Sequence, residues 1–112
     1  MRGEIKVWLE DIDKAILEIN DFLPIPRNFR NFEKDIKTKR AIERNIGIIG
    51  EAVNRIVKLH PNIEISDSKK IIDTRNRIIH GYDSVSDEII WLIAIKYLPI
   101  LEKEIRSLID KF

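Results

Sequence analysis

Cysteine is absent from the 112-residue chain, which removes disulfides, thiolate zinc sites, iron–sulfur clusters and thiol nucleophiles in one step. Only His60 and His80 remain as nitrogen ligands, so neither a resident metal nor another cofactor is expected. No run of about 18 uncharged apolar residues is available to span a bilayer, and Met1-Arg2-Gly3-Glu4 leads into an acidic amphipathic pattern instead of a signal-peptide core. The expectation is a cytoplasmic protein with no membrane contact. An excess of one charge is also missing, because 20 Lys and Arg stand against 19 Asp and Glu. With a formal charge of +1, any hold on nucleic acid must come from a local patch and not from overall basicity. Strand-like alternation, repeats and low-complexity tracts do not occur either.

What is present is 44% hydrophobic and 35% charged residues, a balance suited to one domain over residues 1–112 with one buried core. From Glu4 to Leu23 the apolar residues Ile5, Trp8, Leu9, Ile12, Ile16, Ile19 and Leu23 recur at three-and-four spacing, the stripe of an amphipathic helix. Pro24 and Pro26 end it, and Phe29, Phe32 and Ile36 predict a short connecting helix. A second long helix is predicted from about Thr38 to Leu59, stopped by Pro61, with Gly47 and Gly50 inside it as places where another helix approaches closely. Ser66 or Asp67 caps a third helix that ends at His80 before Gly81. Ser84 or Ser86 caps a fourth, where Ile89, Ile90, Leu92, Ile93 and Tyr97 crowd enough of the circumference to suggest a dimer contact. Pro99 kinks or restarts the chain before an amphipathic run to Phe112. The expected fold is all-α, an antiparallel up-down bundle of four to five helices with a short connecting helix.

The chemistry concentrates in Arg75-Asn76-Arg77-Ile78-Ile79-His80-Gly81-Tyr82. Asn76 and His80 are four residues apart and share a helix face, whereas Arg75 lies about 140° around from His80, a gap a long guanidinium can cover. Cleaving RNA without a metal needs a base for the ribose 2′-hydroxyl, an acid for the leaving 5′-oxygen and cationic donors on the phosphate. His80 can act as base or acid, because free imidazole titrates near pH 6.5. Arg75 offers a permanently charged planar fork to the phosphate. Asn76 can orient His80 or donate a hydrogen bond, and Arg77 can hold a flanking phosphate. One chain supplies one such histidine, so a two-fold dimer that joins two motifs is chemically favoured. On spacing alone the Arg and His of a helix end are more often surface or capping groups than catalysts.

Elsewhere, Lys34, Lys37, Lys39, Arg40 and Arg44, with Lys69 and Lys70, are candidates for a basic patch, although Glu33, Asp35 and Glu43 interrupt the run. Glu51 is either a surface carboxylate or one that orients His80 or an arginine. His60, at a helix end, suits the local dipole. Trp8 and Trp91 read as core or dimer-contact aromatics, and Tyr82 either packs across the helix end or presents its hydroxyl.

Read as R-x4-H-x-Y, the octapeptide resembles the active-site motif of the HepT family, the HEPN-domain ribonuclease toxins that are paired with MntA-type nucleotidyltransferase antitoxins. Trp8 to Phe22, "RAIERNIGIIGEAVNRI" from Arg40 to Ile56 and "RNRIIHGYDSVSDEIIW" from Arg75 to Trp91 resemble the family in order and spacing. The loop from Asn62 to Asp67 departs from it, with Ile63 and Ile65 where relatives often carry an aromatic. The resemblance implies a HEPN-like homodimer whose shared cleft is lined by Arg75 and His80 of both protomers, with Asn76 as the usual polar neighbour. It implies further the toxin of a type VII toxin–antitoxin pair, which cuts RNA without a metal and is silenced when the antitoxin transfers AMP from ATP to Tyr82. Adenylylation there would put negative charge and bulk where an RNA phosphate should sit. The alternative is a non-catalytic helical module that binds a nucleotidyltransferase partner or a nucleotide, with Arg75 and Arg77 as phosphate ligands. A nucleotidyltransferase activity of the chain itself is disfavoured, for want of a Gly-Ser turn with paired aspartates to hold magnesium and ATP.

Overall fold

A computed structural model describes residues 2–81 and 85–112, the side chain of Arg2 excepted. Its helices are α1 (Arg2–Phe22), α2 (Phe29–Lys34), α3 (Ile36–Leu59), α4 (Ser68–His80), α5 (Asp87–Leu92) and α6 (Leu98–Lys111), with a π-helical turn over Ile93–Tyr97 that joins the last two. No strand occurs among the described residues, so the all-α expectation holds. None of the helices is long and apolar enough to cross a membrane among the residues described.

Local chemistry sets the breaks. The Asn28 side chain accepts the N–H of Asn31 at 3.1 Å and starts α2, and Asp35 ends α2 and starts α3, accepting Thr38 N–H at 3.1 Å and the Thr38 hydroxyl at 2.6 Å. The Thr38 hydroxyl bond, followed by its backbone N–H, holds the Asp35 carboxyl below its ordinary value of 3.8. A lowered folded-state pKa adds stability that is present above pH 3.8 and is lost as the pH falls through the folded value. Asp35→Ala is therefore expected to melt below the parent at neutral pH, and thermal scans at descending pH should show the two converging in acid. A difference that persists at pH 2 would mean that the cap works through something other than the carboxylate charge.

Cross-helix neighbours fix the directions. Phe22 lies beside Arg40, Ala41 and Arg44, while Trp8 lies beside Gly47, Ile48 and Arg55, so α1 and α3 run antiparallel. Ile78 and Ile79 of α4 flank the same stretch of α3, and Arg75, one turn earlier, meets Glu51. The α6 end returns to the α3 terminus, where the His60 and Phe112 rings meet edge to face at 5.9 Å, and Arg106 reaches Asp13 of α1 at 3.4 Å. The order is up, down, up, down. The predicted stripes form one core, in which Leu9, Ile12, Ile19, Phe32, Ile42, Ile46, Ile49, Ile56, Ile93 and Ile105 are wholly or almost wholly buried.

Three readings are refined by the packing. Gly50 is where α3 and α4 touch: a Cβ there would overlap the Arg75 Cβ and lie 2.8 Å from its Cγ and 3.2 Å from the Ile71 carbonyl oxygen. A Cβ on Gly47 would meet nothing within 4 Å, so that glycine is not a contact point. The crowded apolar run after Ser86 is satisfied largely inside the chain, since Ile90, Ile93 and Ala94 are buried and Trp91 packs its ring 5.8 Å from Phe29 and 5.2 Å from Phe32. Pro99, which has no N–H to give the preceding turn, follows the π-helical turn, whose wider loop, closed by Leu98 N–H on the Ile93 carbonyl, lets the rod continue without a break.

Candidate functional site

Helix α4 carries the motif, and its ends are built differently. At the start, Asp67 occupies the N-cap position without a side-chain cap bond, while Ser66 gives both its N–H and its hydroxyl to Glu104 of α6. Of the two predicted caps, Ser66 is thus spent on tethering. At the other end Gly81 takes the left-handed conformation, φ 62°, and returns its N–H to the Arg77 carbonyl at 3.1 Å, which only glycine does without strain. Ser86, rather than Ser84, caps α5 by accepting the Ile89 N–H at 3.2 Å. Ser84 and Tyr82 lie outside the described residues.

Arg75 is the most constrained of the motif side chains. The Gly50 notch receives its Cβ and Cγ, and its guanidinium pairs with the Glu51 carboxylate through Nη2 and donates from Nη1 to Asn76 Oδ1 at 2.8 Å. Its Nε is buried without a hydrogen-bond partner. Glu51 also accepts from Arg55 Nε at 3.0 Å, so one carboxylate ties two arginines on adjacent helices. Of the alternatives open for Glu51, the structure selects the arginine partner, and the oxygen of Asn76 serves Arg75. In the sequence Glu51 is a candidate to orient an arginine, but which one it meets depends on the α3–α4 contact and is not readable there.

The helical period spreads the remaining motif residues around α4. His80, the last helical residue, is exposed, and the helical period directs it between Arg75 and Arg77, toward the crest that separates two grooves. One groove, about 530 Å³, lies between α1, α3 and α4 and is lined by Trp8, Ile48, Glu51, Arg75, Ile78 and Ile79 among others. The other, about 600 Å³, lies between α4 and α5, with Arg77, Thr74, Lys70, Lys69, Leu92 and Ile93 in its walls. Arg75 and Arg77 are about 200° apart around the axis and serve opposite grooves, so one chain gathers Arg75, Asn76 and Glu51 but leaves Arg77 apart from them. Trp8 and Trp91 are both half-buried against the core, Trp8 at the edge of the first groove and Trp91 beside Phe29 and Phe32.

The predicted basic patch divides. Lys39 is paired with Asp87 at 3.1 Å and Arg40 with Glu43 at 3.3 Å, both at the upper end of α3. Lys69 and Lys70 begin α4 at the opposite end of the bundle, since α3 and α4 run antiparallel. Among the described residues no cluster of three or more His, Cys, Asp or Glu is placed to hold a metal ion.

Comparison with known proteins gives a consistent result. A family model described as "Ribonuclease HepT-like" matches residues 12–108. "Putative RNase MJ0127" of Methanocaldococcus jannaschii is 32% identical over 112 aligned residues, which cover 96% of this chain and 89% of that protein. "Putative RNase TTE0752" of Caldanaerobacter subterraneus subsp. tengcongensis is 35% identical over 75% of this chain and 76% of its own length. "Probable ribonuclease HepT" of Thermococcus cleftensis is 32% identical over 96% and 98% of the two chains. No solved structure matches the chain significantly.

Proposed function

Because the chain belongs to the ribonuclease HepT-like family, we propose that it is a metal-independent endoribonuclease, the toxin of a toxin–antitoxin pair, acting through Arg75 and His80 at a homodimer cleft. The observation that carries this reading is the seating of Arg75: a glycine notch, a carboxylate and an amide fix a guanidinium beside the exposed end of the helix that bears His80.

The chemistry follows from those groups. One His80 imidazole takes the proton from a ribose 2′-hydroxyl, whose oxygen attacks the adjacent phosphorus. The bond to the 5′-oxygen breaks, and an imidazolium supplies its proton, which leaves a 2′,3′-cyclic phosphate and a 5′-hydroxyl. Arg75 stabilises the charge that gathers on the non-bridging oxygens. A second His80 across a two-fold axis lets base and acid be separate residues. Ile79, 54% exposed, and Ile48, 41% exposed, flank Arg75 with half-buried Trp8 nearby, an apolar surface suited to a second copy.

Silencing is assigned to Tyr82. A nucleotidyltransferase antitoxin would join the Tyr82 oxygen to the α-phosphate of ATP, releasing pyrophosphate and placing an adenylate beside His80. The test is intact-mass measurement of the chain made with and without a co-expressed nucleotidyltransferase, with peptide mapping and digestion of total RNA in the presence of a chelator. RNA cleavage by the unmodified form, together with an AMP-sized increment on Tyr82 and loss of cleavage in the other, is the expected result. A chain that binds the transferase yet leaves RNA uncut would instead be the helical binding module.

A further inference from the structure

We infer that the groove between α4 and α5 receives the nucleotides that flank the scissile phosphate, forming a single-stranded RNA subsite with a cationic rim and an apolar floor. The inference rests on the ribonuclease reading above and extends it to how the substrate strand is held.

The groove has the build of a ligand site. Its volume of about 600 Å³ falls within the range of small-molecule pockets. Ile89, Leu92 and Ile93 form the floor, and Leu92 is 39% exposed although its neighbours Ile90 and Ile93 are buried. That floor suits the face of an unpaired base, which single-strand binders take up by stacking or apolar contact. The rim carries Arg77, Lys70 and Lys69. Lys70 is held in place by Tyr97, with its ammonium 3.3 Å from the phenol oxygen and 5.0 Å from the ring centre.

Among the described residues, Arg77 and Arg44 differ from the other arginines of the α3–α4 pair, and of the two only Arg77 lines this groove. Arg40, Arg55 and Arg75 each meet a carboxylate, but among the described residues none stands within ion-pair distance of Arg77. Asp67 and Asp73 also border the groove. They repel phosphates from their own side, which sets the strand in register, with phosphates along Arg77 and Lys70 and bases over Leu92.

Position links the groove to the cleavage site. Arg77 lies three residues before His80, about 4.5 Å along the axis, and the groove continues for roughly nine residues, about 14 Å, to Ser68. A strand whose reacting phosphate rests on the crest at His80 therefore passes Arg77 on its way into the groove. Such a strand is held on both sides of the crest, by Arg75 on one flank and Arg77 on the other, which accounts for two arginines that face opposite ways on one helix.

The test uses the full chain carrying His80→Ala, so that RNA survives, with an eight-nucleotide single-stranded RNA containing 4-thiouridine. Photo-cross-links are expected on peptides spanning 69–77 and 89–93. In the same background, Arg77→Ala and Leu92→Glu are each expected to weaken binding of that RNA about tenfold. Both side chains are exposed, so the bundle should survive, which circular dichroism checks. Cross-links confined to the Ile48 and Ile79 side, with unchanged affinity in both variants, would overturn the groove. If the His80 form cleaves RNA under that outcome, the ribonuclease reading stands without it, whereas a chain that neither cleaves nor binds RNA overturns both.

Discussion

Replacing His80 by alanine is expected to slow RNA cleavage by about 10²–10⁴-fold, the range that positioned acid–base groups contribute, while leaving the melting temperature close to that of the parent. The two halves of that expectation come from one fact, namely that His80 is the exposed last residue of α4 and its ring is not part of the core. Arg75→Ala should also cost about 10²–10³-fold, as loss of a charge-stabilising donor does, but it is the less clean experiment. It strands Glu51 with one arginine in place of two and empties the notch at Gly50. Arg75→Lys is the better companion, because it keeps the charge and removes the planar fork. Single-turnover cleavage of a labelled RNA, with thermal melts of each variant, gives both readouts. A His80→Ala protein that cuts within two- or threefold of the parent would remove the histidine from the mechanism.

Adding a single methyl group at Gly50 is the second large effect. The new Cβ would overlap the Arg75 side chain at its base, where Cβ and Cγ cannot swing aside, and would crowd the Ile71 carbonyl oxygen. Either α4 moves away or Arg75 gives up its position. Overpacking of this kind costs about 1–3 kcal/mol, and the displaced guanidinium should lower cleavage by about 10²-fold, as misplacement by an ångström does. Gly47→Ala, three residues earlier in the same helix and facing open space, is the control. It should be neutral or stabilising by up to about 1 kcal/mol, since alanine is the better helix former. Glu51→Gln, which keeps the shape and removes the charge, separates position from packing: it should slow cleavage with little change in melting. If Gly50→Ala melted and cut like Gly47→Ala, the notch would have no part in seating Arg75.

How far the sequence could be read depended on the range of the interaction. Helix stripes and breaks come from residues within a turn or two of each other, so α1, α3 and α4 were legible to within about two residues, and Ser86 was one of two proposed caps. Gly50 and Gly47 look alike in the sequence, because what separates them is Arg75, on another helix. Glu51 could be named but not assigned, for the same reason. The basic residues Lys39 and Lys70 looked like parts of one patch until the antiparallel run of α3 and α4 put them at opposite ends. The α4–α5 groove was not anticipated at all, because the crowding around Leu92 in the sequence suggests burial, and only the course of the rod leaves that one side chain uncovered.

The glycine that ends α4 sets a length as well as a direction. Consecutive Cα atoms are about 3.8 Å apart across a trans peptide, so Tyr82, two residues past His80, keeps its Cα within about 7.6 Å of the histidine's whichever way the backbone turns. On the proposed reading, an enzyme that modifies this phenol would have to bring its own catalytic centre close to the end of α4, where it would compete with an RNA strand. Blockade by the visitor and blockade by the proposed adduct would then be successive phases at one address, the first lasting as long as the encounter and the second as long as the covalent bond.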